Sequence, residues 1–353
     1  MNRMMRVMAG IALIAMPLAP ATAQRQAQPT VAERLASLRA NEERVMNIGE
    51  RLAVAAAPWC RDGWTLGWIL GDLGQYPKDV RLPARRQWQV PASGSLFVAT
   101  VAPGSAAANA GLQPGVAITA INGEAPMRYN GDRPSRHALA NSERVIDEAL
   151  RAAAGRLSIE TLNGAGERST IQLTARRACA SRFEVSADDE KQAYADGSAV
   201  IVTLGMATFA NDQELAGVIA HELAHNMLRH RLRQDARGVP SGYTRYLGRN
   251  ARVVRGFEEE ADRLSVWLLQ QAGYDPTSPI AFWNRFGPDN DTPHPFGRLH
   301  SPWRDRVRHL EDEIIQMRAA RANDRAATPV ALINAIREAE AAEADGSRTE
   351  SEE

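Results

Sequence analysis

The chain is expected to fold as α+β, with a β-rich unit followed by a mainly helical domain that carries a small edge sheet. Three observations predict this. Apolar residues recur at helical spacing over residues 30–57, 211–223 and 258–273. Short strand-like runs separated by turn residues fill the region from Leu96 to Leu173. A further apolar run, Ala199 to Leu204, stands just before the second helical stretch and supplies the edge strand.

In chain order, residues 1 to 23 read as a secretory signal. Arg3 and Arg6 precede an apolar run from Val7 to Leu18, and Ala21-Thr22-Ala23 offers a small-residue cleavage site, so the mature chain is expected to begin at Gln24. The run is short, is broken by Pro17 and Pro20, and has no cysteine behind it for lipidation, which weighs against a membrane anchor. No later segment has the length of an integral membrane span, and the expected location is the periplasm or the exterior. The 42 basic and 42 acidic residues cancel, and aromatic residues are too sparsely interleaved among the basic ones to argue for nucleic acid.

Residues 24–59 form a helical segment with Leu35, Leu38, Val45, Ile48 and Leu52 on one face, expected to pack on another element or a partner. Between Cys60 and Cys179, a strand at Leu96 to Val101 leads through a short helix to a second strand ending in Ile121-Asn122-Gly123. A helix from about Ser142 to Ala154 and strands near Leu157-Ser158-Ile159 and Thr170 to Leu173 follow. The two cysteines are too few and too separated for a metal cluster. Export to an oxidising compartment points to a disulfide between them, and two buried free thiols are the alternative. From about Ala322 the chain is alanine-rich and acidic, and residues 322–353 are expected to fray into disorder.

The chemistry concentrates in residues 180–321. In His221-Glu222-Leu223-Ala224-His225 the histidines are four apart, so a helix presents both imidazoles to one metal ion with Glu222 beside them. Asn211 caps that helix, Glu214 completes a capping box, and Leu215, Val218, Ile219 and Leu223 form its apolar stripe. Catalytic zinc takes three protein ligands and keeps a position for water, whose pKa it lowers to about 7. Glu222 is therefore assigned as the base that collects the water proton rather than as a ligand. Glu258 and Asp262 are also four apart, on a helix that stops near Gly273. Glu258 is expected to complete the ligand set, and Asp262 to accept the second N–H of a metal-bound histidine. Between the two segments lies a basic stretch with Arg229, Arg231, Arg233, Arg237, Arg245, Arg249, Arg252 and Arg255, read as solvated helix ends and a loop in preference to a lid.

The pattern His-Glu-x-x-His, followed about thirty residues later by Glu-x-x-Ala-Asp, resembles the gluzincin peptidases that include the CAAX prenyl endopeptidases, the HtpX-like heat-shock proteases and their soluble periplasmic relatives, over about Tyr194 to Leu310. The resemblance implies that His221, His225 and Glu258 hold one Zn2+ and that Glu222 is catalytic. It also implies a further histidine followed six residues later by an arginine. His300 and Arg306 have that spacing, while His294-Pro295 resembles the family's His-Pro dipeptide but lacks the arginine. Which of the two faces the metal is left open; His300 is favoured, either as donor to the oxyanion or as occupant of the open zinc position when the enzyme is idle.

The region from Leu96 to Gly123 resembles a PDZ domain of the bacterial protease type, with Val116-Ala117 where an acidic residue is common. Thr65-Leu66-Gly67-Trp68 is similar to the PDZ loop that grips a terminal carboxylate, which makes Leu66, Gly67 and Trp68 candidate peptide contacts beside an ordinary turn as the plainer reading. The domain would then run from residue 60 to residue 179, with the disulfide at its neck. Together these readings describe an exported zinc endopeptidase acting on proteins or peptides, in envelope quality control. A chaperone or scaffold with a latent metal site, and a zinc hydrolase for small molecules, are the competing readings.

Overall fold

The computed structural model describes residues 28–60, 63–240, 248–290 and 302–351, with side chains as far as residue 341. The signal-like segment, His294 and His300 lie outside the described residues.

Helix α1 (Val31–Ala55) starts at Thr30, whose side chain accepts from the Glu33 amide while Glu33 caps Thr30 in return. Its predicted apolar positions Leu35, Leu38, Val45, Ile48 and Leu52 are all buried. The chain then runs through β1 (Trp64–Thr65), β2 (Trp68–Asp72), α2 (Arg81–Trp88), β3 (Leu96–Val101), α3 (Ala106–Asn109), β4 (Ala117–Ile121), α4 (His137–Ala152), β5 (Arg156–Leu162), β6 (Arg168–Thr174) and β7 (Arg176–Arg177). Strands β2 to β6 form an antiparallel sheet in sequence order. The period-two alternation of β3 gives each face its own core. Leu96 and Val98 join a cluster with Ile146 and Leu150 of α4, whereas Phe97 and Ala99 join the larger core built around α1. The N-terminal helix is thus the element on which both halves of the molecule pack.

The β-rich unit is closed at its neck. Trp64 pairs with Arg177 across the β1–β7 ribbon, and next to it Cys60 and Cys179 form a disulfide with their Cα atoms 5.5 Å apart.

The second half comprises β8 (Arg182–Ser186), β9 (Ala193–Ala195), β10 (Ala199–Thr203), α5 (Leu204–Phe209), α6 (Asp212–Met227), α7 (His230–Ala236), α8 (Gly248–Ala272), α9 (Ser278–Asn290), α10 (Trp303–Asn323) and α11 (Val330–Ser351). The structure corrects the sequence reading of the edge strand. The apolar run Ala199 to Leu204 supplies β10, which lies in the middle of its sheet, parallel to β8 and antiparallel to β9, with all five strand residues buried. A run apolar on both faces belongs inside a sheet, and the half-exposed β9 takes the edge. The expected fraying of the tail is corrected as well. Helix α11 docks through Leu332, Ile333 and Ile336, whose spacing puts them on one face against the main core. Among the described residues no helix is long and apolar enough to cross a membrane.

The α1 interface and the neck both bear on stability. Glu42 of α1 is only 5% exposed, and burial pushes its carboxyl up to about 8 against the weaker opposing effects of Trp88, Arg39 and Arg136. Between its ordinary value of 4.5 and about 8 the unfolded chain releases this proton and the folded chain keeps it, so stability falls with rising pH across that window. Glu42→Gln should match the parent near pH 4 in urea unfolding and then exceed it by an amount growing up to about 1.4 kcal/mol per pH unit, levelling off above pH 8. Replacing both cysteines by serine reopens a loop of sequence separation 119 and should cost about 4 to 5 kcal/mol at fixed pH on chain-entropy grounds, measured by the same unfolding experiment.

Candidate metal centre and adjoining groove

Helix α6 is positioned from its first residue. The Asn211 side chain accepts from the amides of Gln213 and Glu214 at 3.0 Å each, and Glu214 accepts from the Asn211 amide at 3.0 Å. Leu215, Ile219 and Leu223 are fully buried one above the next, which fixes the helix's rotation. Gly217 lets α9 approach closely, since a Cβ there would lie 3.2 Å from Pro279. That rotation aims His221 and His225 into a cleft of about 620 Å³ that Glu222 also lines.

The His221 and His225 Nε2 atoms are 3.1 Å apart. Glu258, delivered by α8, places Oε2 3.5 Å from the first and Oε1 3.6 Å from the second. One ligand atom from each of the three residues lies within 4.8 Å of the others. Two imidazoles and a carboxylate converging on one point are a donor set that suits zinc and leaves a coordination position free.

The surrounding charges are paired. Asp262, one turn beyond Glu258, places Oδ1 2.9 Å from His221 Nδ1 and accepts from Arg306 Nε at 2.8 Å. Arg306 is 4% exposed, lies over the Trp283 ring and comes within 3.7 Å of Glu258. Burial and Arg306 press the His221 imidazole down, but the Asp262 and Glu258 carboxylates outweigh them and hold it above its ordinary range. Burial would raise Asp262, yet Arg306 and His221 hold it well down. At His225 burial prevails over Glu258, and this imidazole is kept neutral. Arg306 keeps its proton despite burial because Asp262, Glu258 and Glu222 all face it.

The stretch from Lys191 to Ala195 forms a strand wall of the cleft, and Phe282, Trp283 and Phe286 of α9 form an aromatic wall. Asn226, next to His225, ties the strand wall to the helix. It accepts from the Gly197 amide at 2.9 Å and donates to Ser181 Oγ at 3.0 Å. Sequence reading missed β9, the aromatic wall and His230, a buried histidine against His225. The basic stretch is mostly solvated, as expected, with Arg231, Arg237, Arg249, Arg252 and Arg255 exposed; half-buried Arg233 pairs with Glu260 at 2.6 Å and, like Arg237, lies over the Phe257 ring.

Leu66, Gly67 and Trp68 do not line the metal cleft; they line a second cavity, a groove of about 700 Å³ between β2 and α4. Gly67 has φ +71°, a conformation that favours glycine, and its amide donates to Thr65 Oγ1 at 3.0 Å. The far wall comes from the other half of the molecule and includes Arg182, which pairs with Asp147 of α4 at 2.7 Å, and Ser198.

Residues 168–248 match the model of Peptidase family M48, a span that holds His221, Glu222 and His225 and ends before Glu258. Over 153 residues, 37% of this chain, the sequence is 28% identical to the Metalloprotease YcaL of Escherichia coli (strain K12), spanning 60% of that protein's length. Both matches support a metalloprotease of the M48 type.

Proposed function

We propose that the chain is a zinc-dependent endopeptidase that hydrolyses peptide bonds in protein or peptide substrates. The observation that carries this reading is the convergence of His221, His225 and Glu258 in one cleft, beside Glu222 and an edge strand. Zinc held there would polarise the scissile carbonyl and lower the pKa of a water. Glu222 takes the proton of that water as its oxygen bonds to the carbonyl carbon, and delivers it to the amide nitrogen as the C–N bond breaks. Arg306 keeps a positive charge buried beside the ligands, which balances Glu258 and Asp262. Among the described residues β9 is paired on one side only, so its free edge offers backbone groups to an extended substrate. His300 lies outside the described residues, and its role as oxyanion donor rests on the family resemblance.

The groove between β2 and α4 supports a PDZ-like role in peptide recruitment or regulation, with Leu66, Gly67 and Trp68 at its end. The Cys60–Cys179 disulfide supports an oxidising compartment, the cell envelope or the exterior, for an exported chain. The groove also favours the alternative of a binding scaffold with an idle metal site.

The purified full chain should hold one zinc ion, measured by elemental analysis. Glu222→Gln should keep that ion and lose cleavage of an unfolded protein substrate by on the order of 10² to 10⁴ in rate. Cleavage unchanged in Glu222→Gln, or a folded chain that does not retain zinc, would overturn the reading. If the protein's cellular role survives Glu222→Gln and is abolished by Trp68→Ala, the scaffold reading holds instead.

A further inference from the structure

The two histidines of α6 face different partners on their far sides. Asp262 stands behind His221, on its Nδ1, and a different group stands behind Nδ1 of His225. There, at 2.8 Å, is Nδ1 of His230. His230 is 2% exposed, and its ring is stacked on Phe257 at 4.5 Å between centroids. Its other nitrogen, Nε2, lies 3.1 Å from Glu260 Oε2, and Glu260 is in turn gripped by Arg233 through both carboxylate oxygens at 2.6 and 3.2 Å. The chain reaches this arrangement through a turn at Arg229, a non-glycine residue with φ +52°, which ends the run of α6 and swings His230 back against it.

We propose that His230 is a positioning residue for His225, selecting the tautomer that leaves Nε2 of His225 free for the metal. The assignment follows from donors and acceptors. Glu260, held ionised by Arg233, only accepts, so His230 Nε2 carries the proton and donates to it. In a neutral imidazole the remaining nitrogen is an acceptor, so His230 Nδ1 accepts from His225 Nδ1–H. The lone pair of His225 is then on Nε2, which faces His221 Nε2 and Glu258. The order Arg233, Glu260, His230, His225 places a fixed sequence of hydrogen bonds behind this ligand, and a histidine here does for His225 what the Asp262 carboxylate does for His221. Packing against Phe257 holds the His230 ring in the plane this requires.

The inference rests on the metallopeptidase reading, and its test separates the two. Asparagine at 230 can place an oxygen acceptor near the position of Nδ1, whereas glutamine reaches the position of Nε2 and leaves His225 without its acceptor. In the metal-free full chain, imidazole ¹⁵N shifts should report His225 as the Nδ1–H tautomer in the parent and in His230→Asn, and as a mixture in His230→Gln. Zinc affinity by competition with a chromophoric chelator should fall roughly 10- to 100-fold in His230→Gln and stay within about threefold of the parent in His230→Asn. Far-UV circular dichroism and the melting temperature of each metal-free variant identify any that fails to fold, and the parent's ¹⁵N shifts then decide alone. An Nε2–H tautomer in the parent, or parent-like affinity in a folded His230→Gln, overturns the proposal. If the parent binds no zinc, the proposed function falls while the ¹⁵N measurement still decides this inference.

Discussion

A guanidinium buried to 4% exposure organises the centre of the molecule. Arg306 belongs to α10, yet its partners Asp262 and Glu258 belong to α8 and its third neighbour, His221, to α6. A charge removed from water is tolerable only when opposite charge and hydrogen bonds meet it there, and breaking such a pair typically costs about 3 to 5 kcal/mol. The ligand carboxylate and its neighbour would repel one another without it. The three helices are therefore held in one arrangement by the electrostatics of the site as well as by their apolar faces. A second polar link, from Trp267 Nε1 and Arg263 of α8 to the buried carboxylate of Glu313 on α10, keeps the same two helices in register about two turns further along α10.

Much of this was legible in the sequence, because it depends on residues whose spacing has a direct geometric meaning. The capping box at Asn211 and Glu214, the four-residue step between His221 and His225, and the step from Glu258 to Asp262 each describe a single helix face, and each occurs as spaced. The apolar stripe of α1 could be read in the same way, but not its destination. Nothing local in Leu38 or Val45 says that the helix serves both halves of the chain. The alternate residues of β3 that turn toward α1 carry that information, and they require the sheet to be assembled first.

The failures have equally specific causes. Strand β9 has three residues with a half-exposed tyrosine at its centre, so it lacks the apolar alternation that marks a strand, and its pairing with β10 supplies all of its definition. Alanine and glutamate dominate the tail, which disguised three apolar residues at helical spacing that suffice to dock α11. His230 is five residues past His225 in a run of arginines, outside the period of α6. Only the left-handed turn at Arg229 brings it back to the ligand, and a non-glycine residue gives no warning of such a turn.

The same strand wall serves both cavities. Gly197 lines the metal cleft and also the groove between β2 and α4, and its amide is the one that Asn226 accepts beside His225. On the groove side, Arg182 joins Asp147 of α4 to Ser198 Oγ, one residue from Gly197. A contact made at Gly197 in the groove is therefore one hydrogen bond away from the helix that carries the ligands. The neck disulfide and α1 restrict how far the two halves can separate, which keeps that path short. Placing the groove against the metal-bearing half, rather than on a free surface of the β-rich unit, brings the loop from Asp196 to Ser198 into the lining of both cavities. The Asp196 carboxylate holds the shape of that loop by accepting from the Ser198 amide and hydroxyl and from the Ala199 amide at the start of β10, at 2.7 to 2.9 Å.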